Sequence, residues 1–252
     1  DGSLPVGWSG DGNMDCDELD NQTNPRIADD NSGGAIIVWE DDRDVGTTGT
    51  NIYTQKITSS GSRSWALLTN GRAVSTSADN QNNPHIIADG LGGAIMVWED
   101  NINSGVYGTD IYAGKVSSTG VVSTTILCEY LDNQTNPRLV SDGANGAIVI
   151  WQDDRDTATT GTDIYVHRLT SAGSPDLTWT DNGSVVCNSL LNQVNPQLVS
   201  DGSDGAYLVW QDGRNGNDDV YAQRVNTGGV VQWTLNGIAV NTAAAGQDLP
   251  QL

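Results

Sequence analysis

The 252-residue chain predicts an all-β fold. The expected form is a β-propeller of four-stranded antiparallel blades, with four complete repeats and a partial blade at each terminus. Internal repetition is the first observation behind this. The block Gly33-Gly34-Ala35-Ile36-Ile37-Val38-Trp39-Glu40-Asp41 returns at Gly92 to Asp100, Asn145 to Asp153 and Asp204 to Asp212. Its tryptophans, Trp39, Trp98, Trp151 and Trp210, give a period of 53 to 59 residues, longer than the coils of most solenoids. The second observation is Gln-x-x-Pro, which recurs at Pro25, Pro84, Pro137, Pro196 and Pro250. The third is that no segment shows helical periodicity.

Each period divides into four strands. Strand a follows the proline: Arg26-Ile27-Ala28, His85-Ile86-Ile87, Arg138-Leu139-Val140. An Asp-Gly pair comes next (Asp89-Gly90, Asp142-Gly143, Asp201-Gly202, with Asp30-Asn31 in the first copy) and reads as a hairpin turn. Strand b is apolar on consecutive positions, as expected of a strand buried on both faces. Its tryptophan is expected between blades. Strand c starts at Asn51-Ile52-Tyr53, Asp110-Ile111-Tyr112, Asp163-Ile164-Tyr165 and Asp219-Val220-Tyr221. Strand d carries a Trp…Gly…Val block, except in the third copy, where Val121 and Val122 replace the tryptophan. Four such strands make a propeller blade. The repeats run over 22–80, 81–133, 134–192 and 193–246, with partial blades at 1–21 and 247–252. This phase favours a segment of a larger propeller. A four-bladed ring with overhangs and pairing of terminal strands between molecules are the other arrangements. The chain starts at Asp1 without a leader and is expected to be a mature or excised piece.

Thirty-two acidic against 11 basic residues give a net charge of −21. Such a field repels phosphate backbones and anionic lipid, so nucleic acid is excluded as a partner. No apolar run reaches the length of a bilayer span, so membrane insertion is not expected.

The pattern D-G-x-G-G-A-x-x-x-W-x-D-x-R, D-I-Y-x-Q-R and G-x-x-x-W-x-x-x-G-x-x-V is matched best by Asp201 to Arg214 and Asp219 to Arg224. It resembles propeller repeats of large secreted bacterial surface proteins whose function is uncharacterised. The resemblance covers nearly the whole chain. It implies an extracellular or cell-surface location and a non-catalytic role. The second repeat departs from it, with Asn101 and Ile102 where the first has Asp42 and Arg43. The expected function is therefore an extracellular binding or adhesion module, with a glycan or protein ligand. The alternative is a structural subunit whose terminal strands pair between chains in a homo-assembly. Enzymatic activity ranks third, because His85 and His167 stand in no nucleophile arrangement.

Several residues are candidate sites. If strand a lines the channel, Arg26, His85, Arg138 and Gln197 share one ring and offer an anion site; the competing reading pairs each with a carboxylate such as Asp29. Asn101 and Tyr107 mark the one odd loop as a ligand-binding candidate. Asp41, Asp100, Asp153 and Asp212 close every strand b and are candidate ligands for a cation; no cofactor is assigned, Ca2+ being the one considered. Against this, recurrence in every blade fits carboxylates that cap turns or pair with Arg43, Arg155 and Arg214. Asp11, Asn13, Asp15 and Asp17 alternate like a calcium loop, yet align with a turn running into a strand. Gln22, Gln81, Gln134, Gln193 and Gln247 read as amides that satisfy backbone groups. Cys16, Cys128 and Cys187 share one phase, which places them too far apart for disulfides and marks them as small buried apolar groups.

Overall fold

A computed structural model describes residues 16–65, 70–243 and 246–247. The chain forms four consecutive four-stranded antiparallel sheets. The first holds β1 (Gln22–Asp29), β2 (Ala35–Asp41), β3 (Asn51–Ile57) and β4 (Arg72–Ser75). The second holds β5 (Gln81–Ala88), β6 (Ala94–Asp100), β7 (Asp110–Val116) and β8 (Val122–Cys128). The third holds β9 (Gln134–Ser141), β10 (Ala147–Asp153), β11 (Asp163–Leu169) and β12 (Ser184–Cys187). The fourth holds β13 (Gln193–Ser200), β14 (Ala206–Asp212), β15 (Asp219–Val225) and β16 (Ile238–Asn241). These are β-propeller blades, and their bounds follow the sequence repeats. The terminal segments 1–15 and 248–252, with the calcium-like Asp11, Asn13 and Asp15, lie outside the described residues.

The consecutive apolar run of the second strands β6 and β10 is explained by packing on both faces. On β6, Ala94, Met96 and Trp98 meet Ile36 and Val38 of the first sheet. The alternate residues Ile95 and Val97 meet Ala147 and Val149 of the third. Ile148 and Ile150 then meet Leu208 and Trp210 of the fourth. All five residues from Ala94 to Trp98 are fully buried, because successive side chains of a strand point to opposite sheets. The first strands β1, β5, β9 and β13 pack in series and form the inner edge of the arc. Among the described residues, no comparable packing joins the first sheet to the fourth.

Six of the described tryptophans form two sets, and Trp233 instead packs on Tyr207. Trp39, Trp98, Trp151 and Trp210 rest on the tyrosine of the adjacent strand, Tyr53, Tyr112, Tyr165 and Tyr221, at centroid distances of 6.1 to 6.5 Å. Trp65 and Trp179 bridge blades, their Nε1 donating to Ser118 O (3.3 Å) and Thr227 O (3.0 Å) of the next sheet.

The Asp-Gly pair does not close a two-residue hairpin. The loops run five residues, from Asp30 to Gly34 in the first sheet. The Asp30 carboxylate accepts the amides of Ser32 (2.8 Å) and Gly34 (2.7 Å), and the pattern repeats at Asp89, Asp142 and Asp201. Each of these carboxylates also pairs with a cation of the third strand: Lys56, Lys115, Arg168 or Arg224, at 2.6 to 3.1 Å. A side chain at Gly34 would meet Ile57 O at 2.2 Å, so the loop requires glycine there.

Gly183 carries a second such constraint. Its φ is +98° and a Cβ would lie 2.5 Å from the Trp151 ring. Gly183→Ala is expected to cost about 1–3 kcal/mol through overpacking and left-handed strain, read as a fall in urea midpoint at unchanged m-value.

Candidate functional site

The inner edge is shaped by an asparagine before each proline. Asn24, Asn83, Asn136 and Asn195 have φ between 48° and 56°, a left-handed geometry that asparagine tolerates better than most residues. Strand register shifts there, between Thr23 and Arg26 in the first sheet and at the matching place in the others. The side-chain amide donates to a residue of its own second strand: Asn24 to Glu40 (2.9 Å), Asn83 to Glu99 (2.9 Å), Asn136 to Gln152 (2.8 Å), and Asn195 to Gln211. The backbone amide of the same asparagine donates to the preceding sheet: Asn83 to Glu40 (2.7 Å), Asn136 to Glu99 (2.7 Å), Asn195 to Gln152 (2.8 Å). This relay links blade to blade around the inner edge.

The bulge brings the residues after the prolines together. Arg138 Nη1 lies 2.8 Å from His85 Nε2 and donates to Pro137 O at 2.8 Å. Arg26 Nη1 donates to Pro25 O at 3.2 Å. A guanidinium is always a donor, so His85 Nε2 accepts and the imidazole is neutral. Burial, then Arg138 and Arg26, hold its pKa down to about 3. Burial and Arg26 lower that of Arg138, against a smaller upward pull from the Glu99 carboxylate. No carboxylate lies within ion-pair distance of either guanidinium among the described residues, and Asp29 instead accepts the Asn31 amide at 2.6 Å. The competing reading of these residues, each paired with an Asp, does not describe the structure. Gln197 takes the equivalent place on β13, opposite Val209.

Asn101 and Tyr107 lie elsewhere. Asn101 accepts Thr109 Oγ1 at 2.8 Å, and its amide donates to Asn80 O at 3.0 Å. The Tyr107 amide closes a turn onto Asn103 O at 2.9 Å. Neither shares a hydrogen bond with the Arg–His cluster among the described residues. A shallow depression of about 530 Å³, lined by Thr157, Thr160, Leu190, Asn192 and Arg214, also contains none of the cluster.

The carboxylates ending the second strands are mostly not metal ligands. Asp41, Asp153 and Asp212 each accept the indole Nε1 of Trp39, Trp151 or Trp210 at 2.8 Å. Each is also gripped by Arg43, Arg155 or Arg214 through Nε and Nη2 at 2.5 to 2.8 Å. These oxygens are already engaged, so the expectation of cation ligands at Asp41, Asp153 and Asp212 is corrected. Each guanidinium also stacks on the neighbouring tyrosine at 3.8 to 4.0 Å. Asp100 differs, receiving among the described residues Trp98 Nε1 (3.1 Å) and the Ile102 amide (3.0 Å) and no guanidinium. No group of three His, Cys, Asp or Glu side chains converges closely enough to hold a metal ion among the described residues.

The cysteines have a role beyond packing. Arg43, Arg155 and Arg214 donate to Sγ of Cys16, which precedes β1, and of Cys128 and Cys187, which end β8 and β12, at 3.1 to 3.4 Å. All three thiols are free, and burial raises the pKa of each. The signal was present in the sequence: the second blade lacks both partners, with Ser75 and Ile102 in their places. The repeated glutamines behave as expected, Gln81 and Gln193 donating to Asp79 O (2.6 Å) and Leu191 O (2.7 Å).

No protein-family model matches the chain, and no curated protein matches it. Solved structures do match, at low identity. A protein of unknown function from Dyadobacter fermentans aligns with TM-score 0.58 and 7% identity over 89% of this chain and 69% of that one. An α-L-arabinofuranosidase from Fusarium graminearum, in complex with an iminosugar inhibitor, gives 0.53 and 11% over 90% and 71%. An α-L-arabinanase from Penicillium chrysogenum, complexed with arabinobiose, gives 0.50 and 13% over 88% and 69%. These likenesses show the fold. They also correct the expectation of a non-catalytic extracellular binding or adhesion module, or a structural subunit, because the named proteins sharing this architecture are glycosidases.

Burial alone would raise the Asp41 pKa, but the Arg43 and Trp39 hydrogen bonds outweigh it and hold it below the usual range. This stability is present above the unfolded carboxylate value and lost as pH falls through the folded one. Arg43→Ala is expected to cost about 3 kcal/mol at neutral pH by stranding the buried charge. The loss should shrink on acidification, as followed by urea denaturation at several pH values.

Proposed function

We propose that this chain is the major part of a glycan-cleaving propeller, and that the substrate carries a carboxylate, as in a uronic-acid oligosaccharide. The observation that carries this reading is the Arg138–His85 contact with Arg26 beside it, a cationic cluster whose guanidiniums form no ion pair among the described residues in a chain of net charge −21. Two guanidiniums offer several donors to one carboxylate. His85, kept neutral, fills the space between them without adding repulsion or attracting an acidic residue. The inner-edge relay fixes the backbone beneath all three, which is the preorganisation that substrate positioning requires. The glycan class is supported by the arabinofuranosidase and arabinanase that share the fold. The repeat resemblance supports a location outside the cell.

The test is to incubate the protein with uronate-containing and neutral arabinose oligosaccharides and to quantify new chain ends. Acidic substrates should be cleaved in preference. Arg138→Gln should lower kcat/KM by about 10²-fold, the size of one lost charged hydrogen bond. Equal turnover of neutral substrates, or an unchanged Arg138 variant, would refute the reading. Because His85 stays neutral until about pH 3, the KM for the acidic substrate should be flat between about pH 5 and 8. The same depressed imidazole contributes stability that is lost as pH falls from its unfolded value toward about 3.

A further inference from the structure

The second blade retains the carboxylates of its neighbours but not their cation. Ile102 stands where Arg43, Arg155 and Arg214 stand in the other three. Asp100 and Asp110 are nonetheless fully buried. Neither carboxylate oxygen of Asp110 has a well-formed hydrogen bond among the described residues, and the Tyr130 amide, which lies near enough to favour its charge, is outweighed by burial. Its counterparts are better served. Asp163 accepts Thr160 Oγ1 at 2.8 Å, and Asp219 accepts the amides of Asn215 (2.7 Å) and Asn217 (2.9 Å). In the second blade Tyr107 takes the place of Thr160, and Asn103 donates instead to Glu129 Oε1 at 2.6 Å. The nearby Tyr130 amide donates to Gln134 Oε1 at 3.3 Å. Burial, with the Glu129 charge next, pushes the Asp110 carboxyl up to about 7. Burial likewise raises Asp100. An isolated buried carboxylate of this kind is costly unless something neutralises it.

We propose that the second blade binds a calcium ion at Asp110 and Glu129, close to Asn103 and Asp100, in place of the arginine charge used by the other blades. The donors are all oxygens, which selects a hard cation, and calcium accepts an irregular shell more readily than magnesium. Two carboxylates and an amide make only part of a shell, so backbone carbonyls and solvent complete it. Affinity should therefore fall near the weak range of extracellular modules, about 10⁻⁴–10⁻³ M. Asp110 comes from the start of β7 and Glu129 follows β8, so the ion would tie the outer half of this blade to the connection entering the third.

The experiment is thermal unfolding at about pH 8, where Asp110 is ionised, with a few millimolar calcium chloride, magnesium chloride or sodium chloride at matched ionic strength. Calcium should raise the wild-type Tm by about 4 °C, and magnesium by much less. Asp110→Asn should abolish the calcium rise while increasing Tm in its absence. Asp44→Asn, which removes an exposed carboxylate in the first blade, should leave the rise intact. Glu129→Gln provides a second, more exposed lesion with the same expected loss should Asp110→Asn fail to fold. No rise in the wild type, an equal rise in Asp110→Asn or Glu129→Gln, or an equal response to magnesium would overturn the calcium site.

Discussion

A left-handed asparagine before each inner proline does two jobs with one residue. Its side chain holds the second strand of its own blade, and its backbone amide reaches Glu40, Glu99 or Gln152 of the blade before. The left-handed φ makes both possible at once, because it turns the amide away from the ladder of its own sheet. The apolar interfaces between sheets are broad but carry little directional information. The relay supplies direction, fixing how far each blade advances along the inner edge. The placement of Arg26, His85 and Arg138 depends on it, since each lies two positions beyond such an asparagine.

Charge in this acidic chain is managed locally. Loop carboxylates such as Asp30 and Asp142 take backbone amides on one oxygen and a strand cation on the other. Asp41, Asp153 and Asp212 are held between indole and guanidinium. Repetition therefore marks scaffold, and departures from repetition mark places where the scaffold's own balance fails. The inner cluster has guanidiniums in no ion pair, whereas in the second blade Asp100 and Asp110 lack the arginine that serves their counterparts.

Sheet order was legible in the sequence, as was the burial on both faces that β6 and β10 show, because consecutive apolar residues at a fixed period allow few other packings. The convergence of Arg26, His85 and Arg138 was legible too, once the proline fixed their phase. Other features were not. The Asp-Gly pair marked the hairpin, but not that the aspartate side chain organises a five-residue loop or that glycine is demanded at Gly34 by the Ile57 carbonyl. The cysteines read as apolar filler because thiol and guanidinium stand 27 residues apart in each pair, and their contact exists only once adjacent sheets are packed. Asp110 was hidden because its sequence context matches Asp163 and Asp219. Only the loss of its partners distinguishes it.

The arginine–cysteine contact bears on how such a repeat array can be rearranged. Arg155 belongs to the third sheet and Cys128 to the last strand of the second; Arg214 and Cys187 are related in the same way. Cutting the chain at sheet boundaries would separate each arginine from its thiol. The unit that can be duplicated or exchanged intact is therefore offset from the visible blade, running from one fourth strand through the following third strand. Ser75, at the end of β4 in the first sheet, and Ile102, just beyond β6 in the second, fall within a single such offset unit, so the one departure from the arginine–cysteine pair is confined to one unit.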